Sequence, residues 1–254
     1  HWNGQYWTHS VVPPTSKEEI FLDIWGSSSS DVYAVGVGPM IHWDGNNWAT
    51  DTSSITMGLR AIGGSSSQDI WAVPGDATVL HSNGSSWTVA SSDSARNRTI
   101  IWSSGANDIW LGGGLGSTPL IHCTATNCAS VNLSSPGLSM ITGIWGSSSN
   151  DIWLDSNVGL IHLTPPSLVS APYHVVGQGL HSLSGSSGDD IWAVGGNSDG
   201  SGAAAHWDGL SWTDVSPVKI ARLSDVWATG PGSATGSSTS SDVWAVGDSS
   251  VIAH

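Results

Sequence analysis

A unit of about 40 residues repeats along this chain, and the repetition restricts the fold more than any other feature of the sequence. Its clearest copy, IWGSSSSDVYAVG, runs from Ile24 to Gly36. An aspartate follows the serine-rich stretch in every copy, at Asp31, Asp69, Asp108, Asp151, Asp190 and Asp242. Six copies of one unit indicate a repeat architecture in which each copy packs against its neighbours.

Each copy predicts four short strands and no helix. The first strand is apolar, a serine-rich turn follows, and the second strand carries an aromatic residue shortly after the aspartate, as Tyr33 does after Asp31. Asp44-Gly45 separates the third and fourth strands of the first copy, and an Asp-Gly pair in such a setting is a strong hairpin signal. Four-stranded units of this length predict an all-β protein, a six-bladed β-propeller in which residues 1–254 form a single domain.

The two ends of the sequence carry complementary parts of one repeat. The segment Val251-Ile252-Ala253-His254 matches a third strand, and residues 1–8 match the hairpin and the fourth strand. We therefore expect residues 1–8 to form the outermost strand of the last blade and to close the ring. Closure would remove sheet edges that otherwise promote aggregation.

Cys123 and Cys128 occupy the two positions where the hairpin of another copy carries Trp43 and Trp48. Residues directly opposed on neighbouring strands have the separation that a disulfide needs. We expect a disulfide across this hairpin, which favours a secreted or periplasmic protein because such bonds persist in oxidising compartments. A zinc half-site is the alternative, although no second pair of ligands lies nearby in the sequence.

Charge and hydropathy restrict the partners. The formal net charge is -14, with 6 Lys and Arg residues against 20 Asp and Glu residues, whereas a nucleic-acid-binding protein needs a basic face. No apolar run approaches the roughly 18 residues of a membrane-spanning helix. No signal peptide is visible, which indicates a mature or trimmed chain or a cytoplasmic one.

A histidine occupies one position of every copy, and the set is His42, His81, His122, His162, His206 and His254. In a propeller the third strands lie roughly 15 Å or more from the axis, since neighbouring strands are about 4.8 Å apart. These histidines are therefore too far apart to share a metal ion, whose ligands lie at about 2 Å. We expect each histidine to bond the turn aspartate or serine of its own blade. No metal and no cofactor is predicted.

The pattern WGSSxxDVWAVG followed by IxHWDGxxW resembles a propeller repeat of secreted bacterial proteins, and Trp25–Gly36 with Ile41–Trp48 carry it most fully. The lectin propellers of the tectonin kind have similar Trp- and Gly-rich repeats, and this chain contains 16 Trp and 32 Gly residues. The hairpin DGNNW at residues 44–48 also resembles a shortened Asp-box turn of sialidase-type propellers. The resemblance implies a β-propeller and, through the lectins, a carbohydrate ligand.

The cations occupy one kind of connection, between the fourth strand of one copy and the first strand of the next. In a propeller these connections share a face that leads to the central channel, so they favour an anionic ligand. The candidate binding residues of this face are Arg60, Arg98, Arg222, Lys17 and Lys219. Charge balance against nearby acidic residues is the alternative. Trp43 and Trp207 are further candidates, as platforms for sugar rings, although packing between blades is an alternative role for them.

No catalytic motif is present: the sequence lacks a GxSxG elbow, an HExxH motif and a phosphate-binding loop. We therefore prefer a secreted, non-enzymatic, lectin-like module that binds carbohydrate, with anionic glycans as one candidate class of ligand. A hydrolase or lyase acting at the mouth of the channel is the alternative, and its candidate residues are Asp23, His181 and Asp225. A scaffold that contacts another protein is a third hypothesis.

Overall fold

The structure is a computed structural model of the chain. It describes residues 10–13, 20–53, 55, 57–76, 78–91, 98–113, 119–124, 127–133, 135–165, 168–169, 172–173, 178–217, 220–229 and 242–254. The regular elements of these residues are β-strands, apart from one 3-10 turn at Asp248–Ser250. No helix in the described ranges has the length and hydropathy that crossing a membrane would require.

The strands form six sheets, and within each sheet the strands follow one another in chain order. The first sheet contains β1 (Ile20–Ser28), β2 (Asp31–Val37), β3 (Ile41–Trp43) and β4 (Trp48–Thr50). The second sheet contains β5 (Leu59–Ser66), β6 (Asp69–Pro74), β7 (Val79–Ser82) and β8 (Trp87–Ser91). The third sheet contains β9 (Arg98–Gly105), β10 (Asp108–Gly113), β11 (Ile121–Thr124) and β12 (Asn127–Ser130).

The remaining sheets repeat this order. The fourth sheet contains β13 (Ile141–Ser148), β14 (Asp151–Ser156), β15 (Ile161–Thr164) and β16 (Leu168–Val169). The fifth sheet contains β17 (Gln178–Ser187), β18 (Asp190–Asn197), β19 (Gly202–Trp207) and β20 (Trp212–Asp214). The sixth sheet contains β21 (Leu223–Thr229), β22 (Asp242–Gly247) and β23 (Ile252–Ala253). Residues 1–8, the predicted fourth strand of this last sheet, lie outside the described residues, so ring closure stays a prediction.

The chain divides into two compact units, residues 1–111 with 122–129 and residues 112–121 with 130–254. In the first unit the Ile62 N–H donates to the Asp23 carboxylate at 2.9 Å, which joins β5 to β1. In the second unit the Ala228 N–H donates to the Ser184 hydroxyl oxygen at 3.0 Å, which joins β21 to β17. Polar bonds between first strands therefore connect neighbouring sheets inside each unit.

In the first four sheets the second strand is the most buried element. Strand β6 is buried along its whole length, and Trp71 and Trp153 are 0% exposed. Such near-continuous apolar runs are typical of strands that are covered on both faces. In the second unit Leu180 and Leu183 of β17 pack in one cluster with Trp153 of β14, so the fifth sheet covers the fourth.

A shared irregularity marks the beginning of the first strands. In five sheets the register against the second strand skips one residue, and the skipped residues are Leu22, Arg60, Thr142, His181 and Ser224. An extra residue of this kind bends the strand and re-aims its own side chain. These five positions therefore point side chains away from the ordinary alternation of the sheet.

In the first and fifth blades, close packing beside this irregularity requires a glycine at the end of the repeat pattern. A Cβ atom on Gly36 would lie 1.9 Å from the Ile20 carbonyl oxygen, and one on Gly195 would lie 2.0 Å from the Gly179 carbonyl oxygen. Backbone cannot yield at such distances without moving the strand, so a side chain at Gly36 or Gly195 would displace the first strand of its blade, whereas two other blades carry Pro74 and Ser156 at this position.

The predicted Asp-Gly hairpin is confirmed between β3 and β4. Asp44 Oδ1 accepts the N–H groups of Asn46 and Asn47, both at 2.8 Å, and Gly45 has a φ of 94° that favours glycine. The N–H groups of Asn47 and Asn46 hold the pKa of Asp44 below its usual value. Trp43 and Trp48 then face each other across the hairpin, with ring centroids 5.8 Å apart.

The predicted disulfide is confirmed. Cys123 of β11 and Cys128 of β12 are bonded, with their Cα atoms 4.0 Å apart. The bond therefore stands at the place of the cross-hairpin tryptophan pair of other blades.

Reduction of this disulfide is expected to lower the free energy of unfolding only slightly, towards the bottom of the usual range of about 0–5 kcal/mol. The closed loop is short, so the bond removes little entropy from the unfolded chain. Urea unfolding with and without a reducing agent measures the difference. Loss of the cooperative transition on reduction would contradict this expectation.

Candidate functional site

One hydrogen-bonded group recurs in all six blades, and it contains the repeat histidine and the turn aspartate. His Nε2 bonds Asp Oδ1 in the pairs His42–Asp31, His81–Asp69, His122–Asp108, His162–Asp151, His206–Asp190 and His254–Asp242. Each histidine also packs on the second-strand aromatic, as His81 does on Trp71 with ring centroids 4.1 Å apart. The prediction that the histidines bond within their own blades is confirmed.

The same group contains a serine, but its connectivity does not suit nucleophilic catalysis. Ser65 donates to Asp69 Oδ2 at 2.6 Å, while His81 bonds Oδ1 of the same carboxylate at 2.8 Å. The carboxylate lies between hydroxyl and imidazole, so no hydroxyl is bonded to a base that could activate it. The described residues also contain no group of three or more His, Cys, Asp and Glu side chains placed to hold a metal ion.

The predicted basic face is described only in part, because Lys17 and Lys219 lie outside the described residues. Arg60 and Arg222 are exposed, whereas Arg98 is only 3% exposed. Arg98 stands at the repeat position that Leu59 and Leu223 hold in other blades, and both leucines are buried. Comparing the repeats position by position would have revealed this core position. The buried guanidinium is not available to a ligand at an open surface.

The two predicted sugar platforms differ in exposure. Trp43 is half-buried, and its indole N–H donates to the Ser29 carbonyl oxygen at 3.2 Å. Trp207 is 8% exposed and packs against Trp153 and Trp212. The face of Trp207 is therefore occupied by other aromatic rings.

The two acidic candidates make structural bonds. Asp23 accepts the Ile62 N–H, as described above, and Asp225 accepts the Ser182 hydroxyl at 2.5 Å. Both aspartates also accept the backbone N–H of the next residue, at 2.9 Å in each case. Asp23 belongs to the first unit, and Asp225 belongs to the second.

His181 and Arg222 form a direct pair in the second unit. A guanidinium N–H of Arg222 donates to His181 Nε2, and since arginine can only donate, that nitrogen must carry a free lone pair. Burial, and then the charge of Arg222, lower the pKa of His181 below its ordinary value of 6.5. His181 is therefore a neutral imidazole at neutral pH.

A glycine makes room for this pair. A Cβ atom on Gly196 of β18 would lie 2.7 Å from Cγ of Arg222. Because Gly196 has no side chain, the stem of Arg222 crosses β18 and its guanidinium reaches His181 on β17. Residues from two neighbouring blades thus build one site.

Two pockets meet at His181. The first has a volume of about 280 Å³, and Thr142, Asp155, Tyr173 and His181 contribute to its wall. The second is more open, with a volume of about 670 Å³, and Arg222 and Asn197 contribute to its wall. Gly179 and His181 belong to both. We call these joined pockets the His181 cleft.

Asp155 is the most unusual residue of the His181 cleft. It is 1% exposed, it accepts the Thr142 hydroxyl at 2.8 Å, and burial raises its pKa from 3.8 to about 6. Other blades carry valine at this position of the second strand, namely Val35, Val73, Val194 and Val246. Asp155 was not among the site residues predicted from the sequence, although a carboxylate in place of a core valine was a visible signal.

Comparison with known proteins addresses the fold. No protein-family model matches the chain, and no curated protein matches its sequence. Among solved structures, a catalytically inactive virginiamycin B lyase from Staphylococcus aureus, solved with quinupristin, is similar with a TM-score of 0.66 and 12% identity, over 94% of this chain and 85% of that chain. A structure of YCF48 bound to a D1 peptide is similar with a TM-score of 0.62 and 16% identity, over 95% of this chain and 82% of that chain.

A third similar structure is the extracellular domain of the proposed one-component system BT4673 from B. thetaiotaomicron. Its TM-score is 0.65 at 12% identity, over 97% of this chain and 34% of that chain. This chain therefore spans about a third of that chain, and 33% of the chain of the extracellular domain of BT3049, also from B. thetaiotaomicron. At these identities the likeness concerns the fold alone. The chain is an all-β, six-bladed β-propeller, as its repeat predicts.

Proposed function

We propose that this propeller is a secreted, lectin-like module that binds an anionic carbohydrate in the His181 cleft. The observation that carries the proposal is the exposed Arg222 paired with a neutral imidazole where two pockets meet. A guanidinium offers a planar pair of donors that matches a carboxylate. Among the described residues, Arg222 is the cation in the wall of this cleft.

The size of the cleft supports a ligand of a few sugar units. Small-molecule pockets usually measure about 300–1,000 Å³, and the smaller pocket of about 280 Å³ lies just below that range. One sugar ring can occupy it, while neighbouring units extend into the open pocket beside Arg222. The glycines and the side chains of Asn197 and Ser198 there present polar groups to hydroxyls.

Secretion is proposed on two grounds. The Cys123–Cys128 disulfide favours an oxidising compartment. Two of the similar structures are extracellular domains of bacterial regulatory systems.

Replacement of Arg222 by alanine is expected to weaken the binding of a uronic-acid oligosaccharide by about 10–100-fold. A hydrogen bond to a charged group contributes about 1.5–3 kcal/mol, and about 1.4 kcal/mol corresponds to tenfold. Calorimetric titration with oligogalacturonate, and with an uncharged oligosaccharide of equal length, measures the change. Binding of the acid should also weaken as salt rises past about 0.15 M.

Arg60→Ala is the comparison variant. Arg60 is exposed like Arg222 but belongs to the first unit. A loss confined to Arg222→Ala supports the His181 cleft, and equal losses in both variants would extend the site to the wider basic face predicted from the sequence. Equal affinity of wild type and Arg222→Ala, or equal affinity for acidic and uncharged sugars, would contradict the proposal.

A further inference from the structure

We propose that the His181 cleft also cleaves the glycan it binds, by β-elimination at a uronic acid, with His181 as the base and Asp155 as the acid. This inference rests on the proposed function, because it assumes that a sugar carboxylate binds Arg222. It adds a reaction, a substrate class and a residue that the repeat pattern did not indicate.

Arg222 meets the first requirement of such a reaction. The proton at C5 of a uronic acid is weakly acidic, and it becomes easier to remove when the adjacent carboxylate is neutralised by a bound cation. The exposed guanidinium of Arg222 lies beside the imidazole that would take this proton. The cation and the base are therefore neighbours in the cleft. In the substrate the carboxylate that would bind the cation and the C5 proton that the base would take are also neighbours.

His181 meets the second requirement, because its Nε2 lone pair is available at neutral pH. In the free protein this nitrogen accepts a hydrogen bond from Arg222. A carboxylate that takes over the guanidinium frees the lone pair and cancels the positive charge beside it. Substrate binding therefore makes His181 more basic at the moment when a base is needed. The register shift in β17 aims this side chain out of the sheet.

Asp155 meets the third requirement, a neutral acid on the same pocket. The carboxyl group is 1% exposed and lies in the wall of the pocket that contains His181. Thr142 holds it in place through the 2.8 Å hydrogen bond. A desolvated carboxyl group keeps its proton to higher pH than one in water, and it can then donate that proton to a leaving group.

The proposed step conserves atoms and charge. His181 Nε2 takes the C5 proton, and the electron pair of the broken C5–H bond forms the C4=C5 double bond. The bond between C4 and the glycosidic oxygen breaks with its electron pair on oxygen, which takes the proton of Asp155. The products are a chain that ends in an unsaturated uronate and a chain with a new reducing end. A proton then passes from His181 to Asp155 through solvent.

The protonation states of His181 and Asp155 set the pH range in which the proposed elimination can proceed. His181 must be neutral, which requires a pH above its lowered pKa, and Asp155 must be protonated, which requires a pH near or below about 6. Among the residues that the structure describes, the other titratable or charged groups near them are Tyr173 in the same pocket, Arg222 beside β21, and Asp225 on β21. Activity should therefore follow a bell-shaped curve whose alkaline side falls above about pH 6, where Asp155 loses its proton.

The test incubates the whole chain with polygalacturonate and, separately, with alginate near pH 6. Ultraviolet absorbance of the conjugated C4=C5 uronate and mass spectrometry of the ends detect the product. His181→Asn and Asp155→Asn should each reduce the rate by about 10²–10⁴-fold, since each removes one proton-transfer group. Both variants should still bind oligogalacturonate in calorimetry, because Arg222 remains.

Asp189→Asn is the matched control, since it makes the same change at an exposed turn carboxylate of the same unit. It should keep the wild-type rate, and circular dichroism checks that all variants are folded. A wild type that binds oligogalacturonate and forms no unsaturated product overturns the inference and leaves the proposed function standing. Unsaturated product that forms equally in His181→Asn also overturns it, and absence of binding overturns both proposals.

Discussion

Replacement of Asp155 by valine is expected to raise the free energy of unfolding by about 1–3 kcal/mol near pH 8. Burial raises the pKa of Asp155 from 3.8 to about 6, and one pKa unit corresponds to about 1.4 kcal/mol, so the ionised carboxylate costs roughly 3 kcal/mol in the folded state. Loss of the bond from Thr142 offsets about 1 kcal/mol of this gain. Valine should fit, because Val73 and Val194 occupy the same place in other blades.

The gain should depend on pH in one direction. The folded-state pKa of Asp155 lies above the unfolded value, so the carboxyl group binds its proton more tightly in the folded protein. The folded state is therefore disfavoured increasingly as pH rises from about 4 to about 6, and the cost is complete above that range. Urea unfolding of the wild type and of Asp155→Val at pH 4 and at pH 8 measures this cost as the difference in their free energies of unfolding. An equal stability difference at the two pH values would contradict this reasoning.

Asp155→Asn separates the effect of the carboxylate charge on stability from the effect of the side chain's shape. It keeps a polar group beside Thr142 but cannot ionise, so it should lose the pH dependence without the full gain of the valine variant. Under the elimination mechanism proposed above, both variants lose activity. A carboxylate that lowers stability and is nevertheless present at a pocket is the pattern expected of a functional residue.

Replacement of Asp69 by alanine is expected to destabilise the protein by about 3–5 kcal/mol. The Asp69 side chain is 7% exposed, and its oxygens accept hydrogen bonds from Ser65, Trp71, His81 and the Asn107 N–H at 2.6–3.1 Å. Alanine leaves the fully buried indole N–H of Trp71 without its acceptor and removes the shared acceptor of three partly buried or exposed donors, and losses at a buried polar group are among the largest that one substitution produces.

Asp242→Ala is the matched control, because Asp242 holds the same position of the repeat. Its side chain is 45% exposed, and it bonds His254, which is 58% exposed. Water can replace a partner at such a site, so we expect a loss of about 0–1 kcal/mol. Urea unfolding of both variants measures the contrast. Equal losses would show that burial does not set the importance of this aspartate.

Asp69 should also contribute to acid unfolding. Burial alone would raise its pKa, but the hydrogen bonds from Ser65, the Asn107 N–H, Trp71 and His81 outweigh burial and lower it. A lowered folded-state pKa means that the carboxylate stabilises the protein above about pH 4 and that this stabilisation is lost as pH falls further. Asp69→Ala should therefore lose less stability than wild type on acidification.

The repeat by itself determined the fold. The period of about 40 residues, the absence of helical spacing and the Asp-Gly hairpins depend on local geometry, which a short stretch of sequence encodes. The disulfide and the His–Asp bonds were predictable for the same reason. Their partners lie within one blade, so strand register alone brings them together, as with Cys123 and Cys128.

The His181 cleft could be identified only from the tertiary structure. Arg222 reaches His181 because a neighbouring blade packs against β17 and because Gly196 leaves space for the arginine stem. Arg98 and Asp155 are both ionisable, and the core buries both, although the sequence analysis placed Arg98 on an open face. Burial and pKa depend on atoms contributed by distant segments, and a repeat pattern specifies its own strands but not the neighbours of one exceptional side chain.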